Sequence, residues 1–186
     1  MSAKAILAQH EKSMEKTIEV MKNELRQIRT GRASPGLVEN LMVDYYGTPT
    51  PLKQLAAIAC PEPAMLVIKP FDIGCLNDIE KSIQASELSL APVMDGKMIR
   101  LNIPPLSEER RKQIVNQVKQ LGERHKVSVR NIRRDAIKQL EDAEKAKQIT
   151  EDERDKGKKE ADDLTKKYVD QLDQLVKSKS EEIMNS

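Results

Sequence analysis

Between residues 107 and 138 the chain carries ten basic side chains against four acidic ones, a local net charge of +6 in a protein whose formal charge is +2. Four of the cations, Lys112, Lys119, Lys126 and Arg133, recur at intervals of seven residues. Seven residues are close to two helical turns, so these side chains line one helix face, with Arg130 about 40° round from that line. Arg110 and Arg111 extend the line toward one end, and Arg134 adds another planar fork. Such a ridge suits a polyanion: each phosphate it neutralises releases counterions, and guanidinium groups grip phosphate oxygens bidentately. Nucleic acid is the obvious partner. The plainer reading is a solvated face on a long helix. A face steadied by its own ion pairs places acids four residues away, and only Glu123 and Asp135 are available over most of the ridge. The face carries no aromatics, which argues against stacking on single strands and favours backbones of folded RNA, read by shape.

No other constellation suggests chemistry. Cys60 and Cys75 are too few for a disulfide framework and stand at neither metal nor redox spacing. They are expected as small, buried, reduced side chains of a cytosolic protein. His10 is isolated near the start, and His125 falls on an apolar seam, the place of a core histidine; neither has the neighbours of a metal site. There is no glycine-rich phosphate loop and no nucleophile elbow, Asp95-Gly96 reads as a turn, and Asp162-Asp163 as an exposed acidic face. The expectation is a protein that is not an enzyme and needs no cofactor. No run of 18 or more apolar residues exists, which excludes a membrane-spanning helix. The opening MSAKAILAQHEKSMEK lacks a signal-peptide core.

The elements that must position the ridge follow from composition. Of 186 residues 33% are charged and 2% aromatic, the text of long helices with wet faces and an aliphatic core. All nine prolines and five of the seven glycines lie between residues 31 and 105. Proline is costly inside helices and useful in turns, so the middle is turn-rich and the flanks are helical. The first flank places Leu7, Met14, Ile18, Met21, Leu25 and Ile28 on one seam, predicting a helix that ends near Gly31. The second starts after Pro104-Pro105 with Ser107 as N-cap and Glu108 and Glu109 at the positive end of the dipole. Its seam runs Ile114, Val118, Leu121, His125, Val129, Ile132, Ala136, Leu140, Ala143. A capping box, Thr150-Glu151-Asp152-Glu153, opens a third helix through Ala161, Leu164, Tyr168, Leu172, Leu175 and Ile183.

Three one-sided helices must bury their stripes together. The fold expected is α+β: an elongated antiparallel three-helix bundle from residues 1–30 and 105–186, with residues 31–104 inserted as a small α+β domain. The two crossings, Thr30-Gly31-Arg32 and Ile103-Pro104-Pro105, would form a hinge. Within the insertion, 37–46 and 65–69 read as strands, 77–86 as a helix with Ile79 and Ile83 inward, and Asp95-Gly96 as a hairpin turn.

Three stretches carry a resemblance: ELRQIRTGRASPGLVENLMVDYYGTPTPLKQLA at 24–56, DGKMIRLNIPPLSEERRKQIVNQVK at 95–119 and KVSVRNIRRDA at 126–136. With ITEDE at 149–153 and the C-terminal KSKSEEIM, the whole register resembles the ribosome recycling factor family. The resemblance implies an L-shaped monomer that binds the post-termination 70S ribosome and, with elongation factor G and GTP, splits it into subunits. It implies contacts of Arg29, Arg32, Arg110, Arg130 and Arg133 with 50S-subunit ribosomal RNA, to which the ridge reading adds Lys126. The hinge positions correspond to Thr30, Gly31, Arg32, Pro104 and Pro105. No membrane partner is implied, and a bacterial cytoplasmic form is expected. The sequence departs from the family pattern at Phe71, where Trp is common, and at Ala91, where Asn is. From another class of function, a coiled-coil scaffold or chaperone-like module would use the same apolar seams for protein partners.

Overall fold

The structure, a computed structural model, describes residues 2–186. In chain order the elements are α1 (Ala3–Gln27), β1 (Met42–Tyr45), β2 (Thr48–Pro51), the single turn α2 (Leu52–Leu55), β3 (Ala56–Glu62), β4 (Met65–Pro70), α3 (Leu76–Ala85), β5 (Pro92–Asp95), β6 (Met98–Asn102), α4 (Glu108–Lys145) and α5 (Glu151–Met184). The class is α+β. The chain divides into two compact units, one of residues up to Leu25 with Gln113–Glu181, the other of Arg26–Lys112 with Glu182–Ser186.

The first unit is three helices closed on an aliphatic seam. Met14, Ile18, Met21 and Leu25 of α1 are buried with Ile114, Val118, Val129 and Leu140 of α4, and with Ala161, Tyr168 and Leu172 of α5. The α4–α5 turn is held at both ends. Lys147 takes φ +57°, and the amides of Gln148 and Lys147 donate to the carbonyls of Ala143 (2.9 Å) and Glu144 (2.8 Å), closing α4 with a left-handed C-cap. Thr150 Oγ1 accepts from the Glu153 amide at 3.2 Å while Glu153 Oε2 accepts from the Thr150 amide at 2.8 Å, the reciprocal box expected for the start of α5. The helices approach closely where they carry glycine. A methyl on Gly122 would overlap the Cγ2 of Val176, and one on Gly157 would lie 3.0 Å from both δ-carbons of Leu140.

The second unit is built on a four-stranded antiparallel sheet in the order β3-β4-β6-β5. Leu66, Ile68, Ile99 and Leu101 are fully buried on one sheet face, and α3 buries Ile79 and Ile83 in the same core. Val67 of β4 pairs opposite Arg100 of β6. The β5–β6 hairpin turns through Gly96-Lys97, with Gly96 at φ +62°, one residue later than the Asp95-Gly96 centre expected.

Three local expectations need correcting. The strand expected over 37–46 starts only at Met42: Pro35–Leu37 is a single 3-10 turn, with proline pre-setting its first φ. The same turn explains why α1 stops at Gln27 and not near Gly31. Gly36 is so close to the backbone at Arg26 that an added Cβ would sit 2.9 Å from the Arg26 carbonyl oxygen, an approach only glycine permits. Finally, Cys75 is buried but Cys60 is exposed, because it sits where the β3–β4 register shifts between Ala59 and Glu62.

Candidate nucleic-acid interface

The α4 ridge exists because the opposite face of the helix is committed to the core. Ser107 Oγ accepts from the Arg110 amide at 3.2 Å and caps the start of the helix. Glu108 pairs with Lys112 at 2.9 Å, which holds its carboxyl below the ordinary carboxylate range. Lys119, Arg130, Arg134 and Lys138 are left exposed. Arg130 and Arg134 make no ion pair among the described residues.

The expected site residues do not share one environment. Within the first unit, Arg130 projects freely. Arg133 is 41% exposed, with its Nε 3.4 Å from Asp162 Oδ1 of α5; that Nε is buried without a hydrogen-bond acceptor. Lys126 is 14% exposed and pairs with Glu123 (2.9 Å) and with Asp173 of α5. These two carboxylates, Asp173 first, raise its pKa above the ordinary lysine value against the opposing effect of burial. Within the second unit, Arg32 and Arg110 are exposed, while Arg29 donates from Nη2 to the Pro104 carbonyl at 2.8 Å. That bond ties the two segments expected as hinge strands to each other. Thr30 is buried, Gly31 takes φ +83°, and Pro104 and Pro105 are exposed; all five hinge positions lie inside this unit.

Sequence reasoning missed the acids of α5. It looked for partners along α4 at helical spacing, whereas Asp162 and Asp173 come from a different helix. The signal was present: once the turn at 147–150 is placed, residues about equally far before and after it face each other across the antiparallel pair. Lys158 to Glu141 at 2.6 Å follows the same rule.

Both histidines and Tyr168 have structural partners. His125 donates from Nε2 to Glu24 Oε2 at 2.5 Å, and His10 donates from Nδ1 to the Ile6 carbonyl at 2.8 Å, one turn back. Tyr168 donates to Glu11 Oε1 at 3.1 Å and is close enough to Glu15 to share its proton, at 3.3 Å. Burial first, then these carboxylates, drive its hydroxyl pKa well above the ordinary value. No group of three or more His, Cys, Asp or Glu among the described residues could hold a metal ion, and no described helix is long and apolar enough to cross a membrane.

What such an arrangement offers is a helix face on which Arg130 and Arg134 stand exposed with no ion pair among the described residues, a surface that suits a polyanion. Comparison with known proteins gives the family of the chain. The family model described as "Ribosome recycling factor" matches residues 21–184. The ribosome-recycling factor of Desulfosudis oleivorans is 48% identical over 174 residues, 94% of each chain. That of Carboxydothermus hydrogenoformans is 47% identical over 180 residues, 97% of each. A solution structure of the ribosome recycling factor matches with a TM-score of 0.79 at 39% identity, covering 100% of this chain and 99% of the other. A second structure is of the T. thermophilus ribosome recycling factor, from models made with E. coli elongation factor G bound to the E. coli post-termination complex. It matches with a TM-score of 0.69 at 40% identity, covering 99% of this chain and 100% of the other. The chain belongs to the ribosome recycling factor family.

Proposed function

We propose that this protein binds the post-termination 70S ribosome through 50S-subunit ribosomal RNA and, with elongation factor G and GTP, parts it into subunits in the cytoplasm. It acts as a monomeric mechanical wedge with no bond chemistry of its own; the energy comes from the partner GTPase. Arg130 and the outward fork of Arg133 on α4, with Arg29, Arg32 and Arg110 of the second unit, meet RNA phosphates. Lys126 lies on the same ridge and contributes least, because its charge is already shared between two carboxylates. Thr30, Gly31, Arg32, Pro104 and Pro105 form the hinge between a bundle of residues 1–30 and 105–186 and an inserted domain of 31–104. The observation that carries the RNA reading is Arg130, exposed and without an ion pair on a helix whose other face is buried. Leaving a cation unpaired beside so many acids elsewhere in the chain costs little in water and keeps it available for phosphate.

The test is sedimentation of post-termination ribosomes on a sucrose gradient with elongation factor G and GTP, with and without the protein. Conversion of 70S particles to subunits that depends on the added protein supports the reading, and an unchanged 70S peak refutes it. Arg133→Ala should weaken 50S binding by about 1–3 kcal/mol, the range of a charge-assisted contact.

A further inference from the structure

Two carboxylates of α5 reach across to the α4 ridge, and their geometries differ. Lys126 is nearly buried, with its ammonium held between Asp173 and Glu123. Arg133 is partly open, and its buried Nε has no hydrogen-bond acceptor although Asp162 Oδ1 is 3.4 Å away. Asp162 therefore acts on Arg133 as a nearby charge and not as a partner that orients its fork. A carboxylate so placed cancels part of the field that draws a phosphate while supplying no preorganisation in return. Half-exposed pairs of this kind add little to fold stability. Their effect is felt when a polyanion competes for the same cation.

We propose that Asp162 and Asp173 are an intramolecular brake on polyanion binding: they compete with phosphate for Arg133 and Lys126 and set the affinity below what the ridge cations alone would give. The inference rests on the reading of α4 as the RNA face and adds a control to it. A factor that must leave after each round gains from a ridge that releases fewer counterions and so lets go sooner.

Equilibrium binding to purified 50S subunits over a salt series tests this with Asp162→Asn, Asp163→Asn and Arg130→Ala, each checked for an unchanged thermal unfolding curve. Asp163 is the exposed neighbour, with no ion pair among the described residues, so Asp163→Asn removes the same charge without touching Arg133. Asp162→Asn should bind about 3- to 10-fold tighter, the effect of one screened charge pair. Its salt dependence should steepen by somewhat under one unit of log–log slope. Asp163→Asn should change affinity by less than about 2-fold, since its charge is further from the ridge. The double variant Asp162→Asn/Asp173→Asn should bind tighter still. Equal affinities for Asp162→Asn and Asp163→Asn, or weaker binding by Asp162→Asn, would overturn the brake. If Arg130→Ala weakens binding while Asp162→Asn fails to tighten it, only the brake falls; if Arg130→Ala also binds like the parent, the RNA-face reading falls with it.

Discussion

Gly122→Ala adds one methyl at a place where α4 passes close to α5. Built on the existing backbone, that methyl overlaps the Cγ2 of Val176, with the Cε of Met21 from α1 at 3.8 Å behind it. The methionine tip can move; the valine is held by its β-branch in one preferred χ1 within a helix, so α5 itself must shift. Overpacking of that kind costs about 1–3 kcal/mol, against a gain of about 1 kcal/mol from replacing glycine by alanine inside a helix. The net expectation is a loss of about 0–2 kcal/mol. The sharper quantity is the coupling to Val176. In a Val176→Ala background the obstruction is gone, so adding Gly122→Ala should stabilise the bundle by about 0.5–1 kcal/mol. Urea unfolding of the four proteins, followed by circular dichroism, gives the cycle. A coupling energy near zero, with Gly122→Ala stabilising equally in both backgrounds, would refute the claim that close helix approach is why residue 122 is glycine.

Other outcomes are open to equally direct measurement. Lys126→Ala should lower stability by about 1–2 kcal/mol through two lost pairs and a buried stem, and should weaken 50S binding less than Arg130→Ala does; matching losses of affinity would contradict its placement between acids. Thr150→Ala should cost about 1 kcal/mol in thermal or urea unfolding by opening the capping box at α5. Glu141 is held below its ordinary carboxylate value by Lys158, first through their hydrogen bond and then through charge. A lowered folded-state pKa means a contribution present at neutral pH and lost as pH falls through that lowered value. The deficit of Glu141→Gln relative to the parent should therefore shrink in acid, read from unfolding midpoints across a pH series.

The long helices were legible because each rests on many repetitions of one signal: apolar residues at three- and four-residue steps along α1 and α4, and caps at Ser107 and Thr150 that mark the starts. Short strands offer no such redundancy. β2, Thr48–Pro51, alternates threonine with proline and reads as a turn, yet in a two-stranded sheet it is an edge, where a residue without an amide hydrogen is tolerated. β3, Ala56–Glu62, is alanine-rich and contains Pro61, so neither alternation nor bulk announces it. It forms because its neighbour β4 presents an unpaired edge beside Leu66 and Ile68, a fact of tertiary structure. At the candidate interface, the exposure of Arg130 followed from the seam on the other side of the helix. The engagement of Lys126 and the shielding of Arg133 did not, because the carboxylates responsible come from α5 and become neighbours only once the two helices fold back on each other.

In the proposed function, unpaired cations along α4 meet ribosomal phosphates. The dependence of 50S affinity on salt concentration measures this most directly. With four or more phosphates contacted, the log–log slope should be about −3 or steeper, and Arg130→Ala should flatten it by a little under one unit. Binding that barely responds to salt, with the same slope for the parent and Arg130→Ala, would mean that this face of the helix looks only at water.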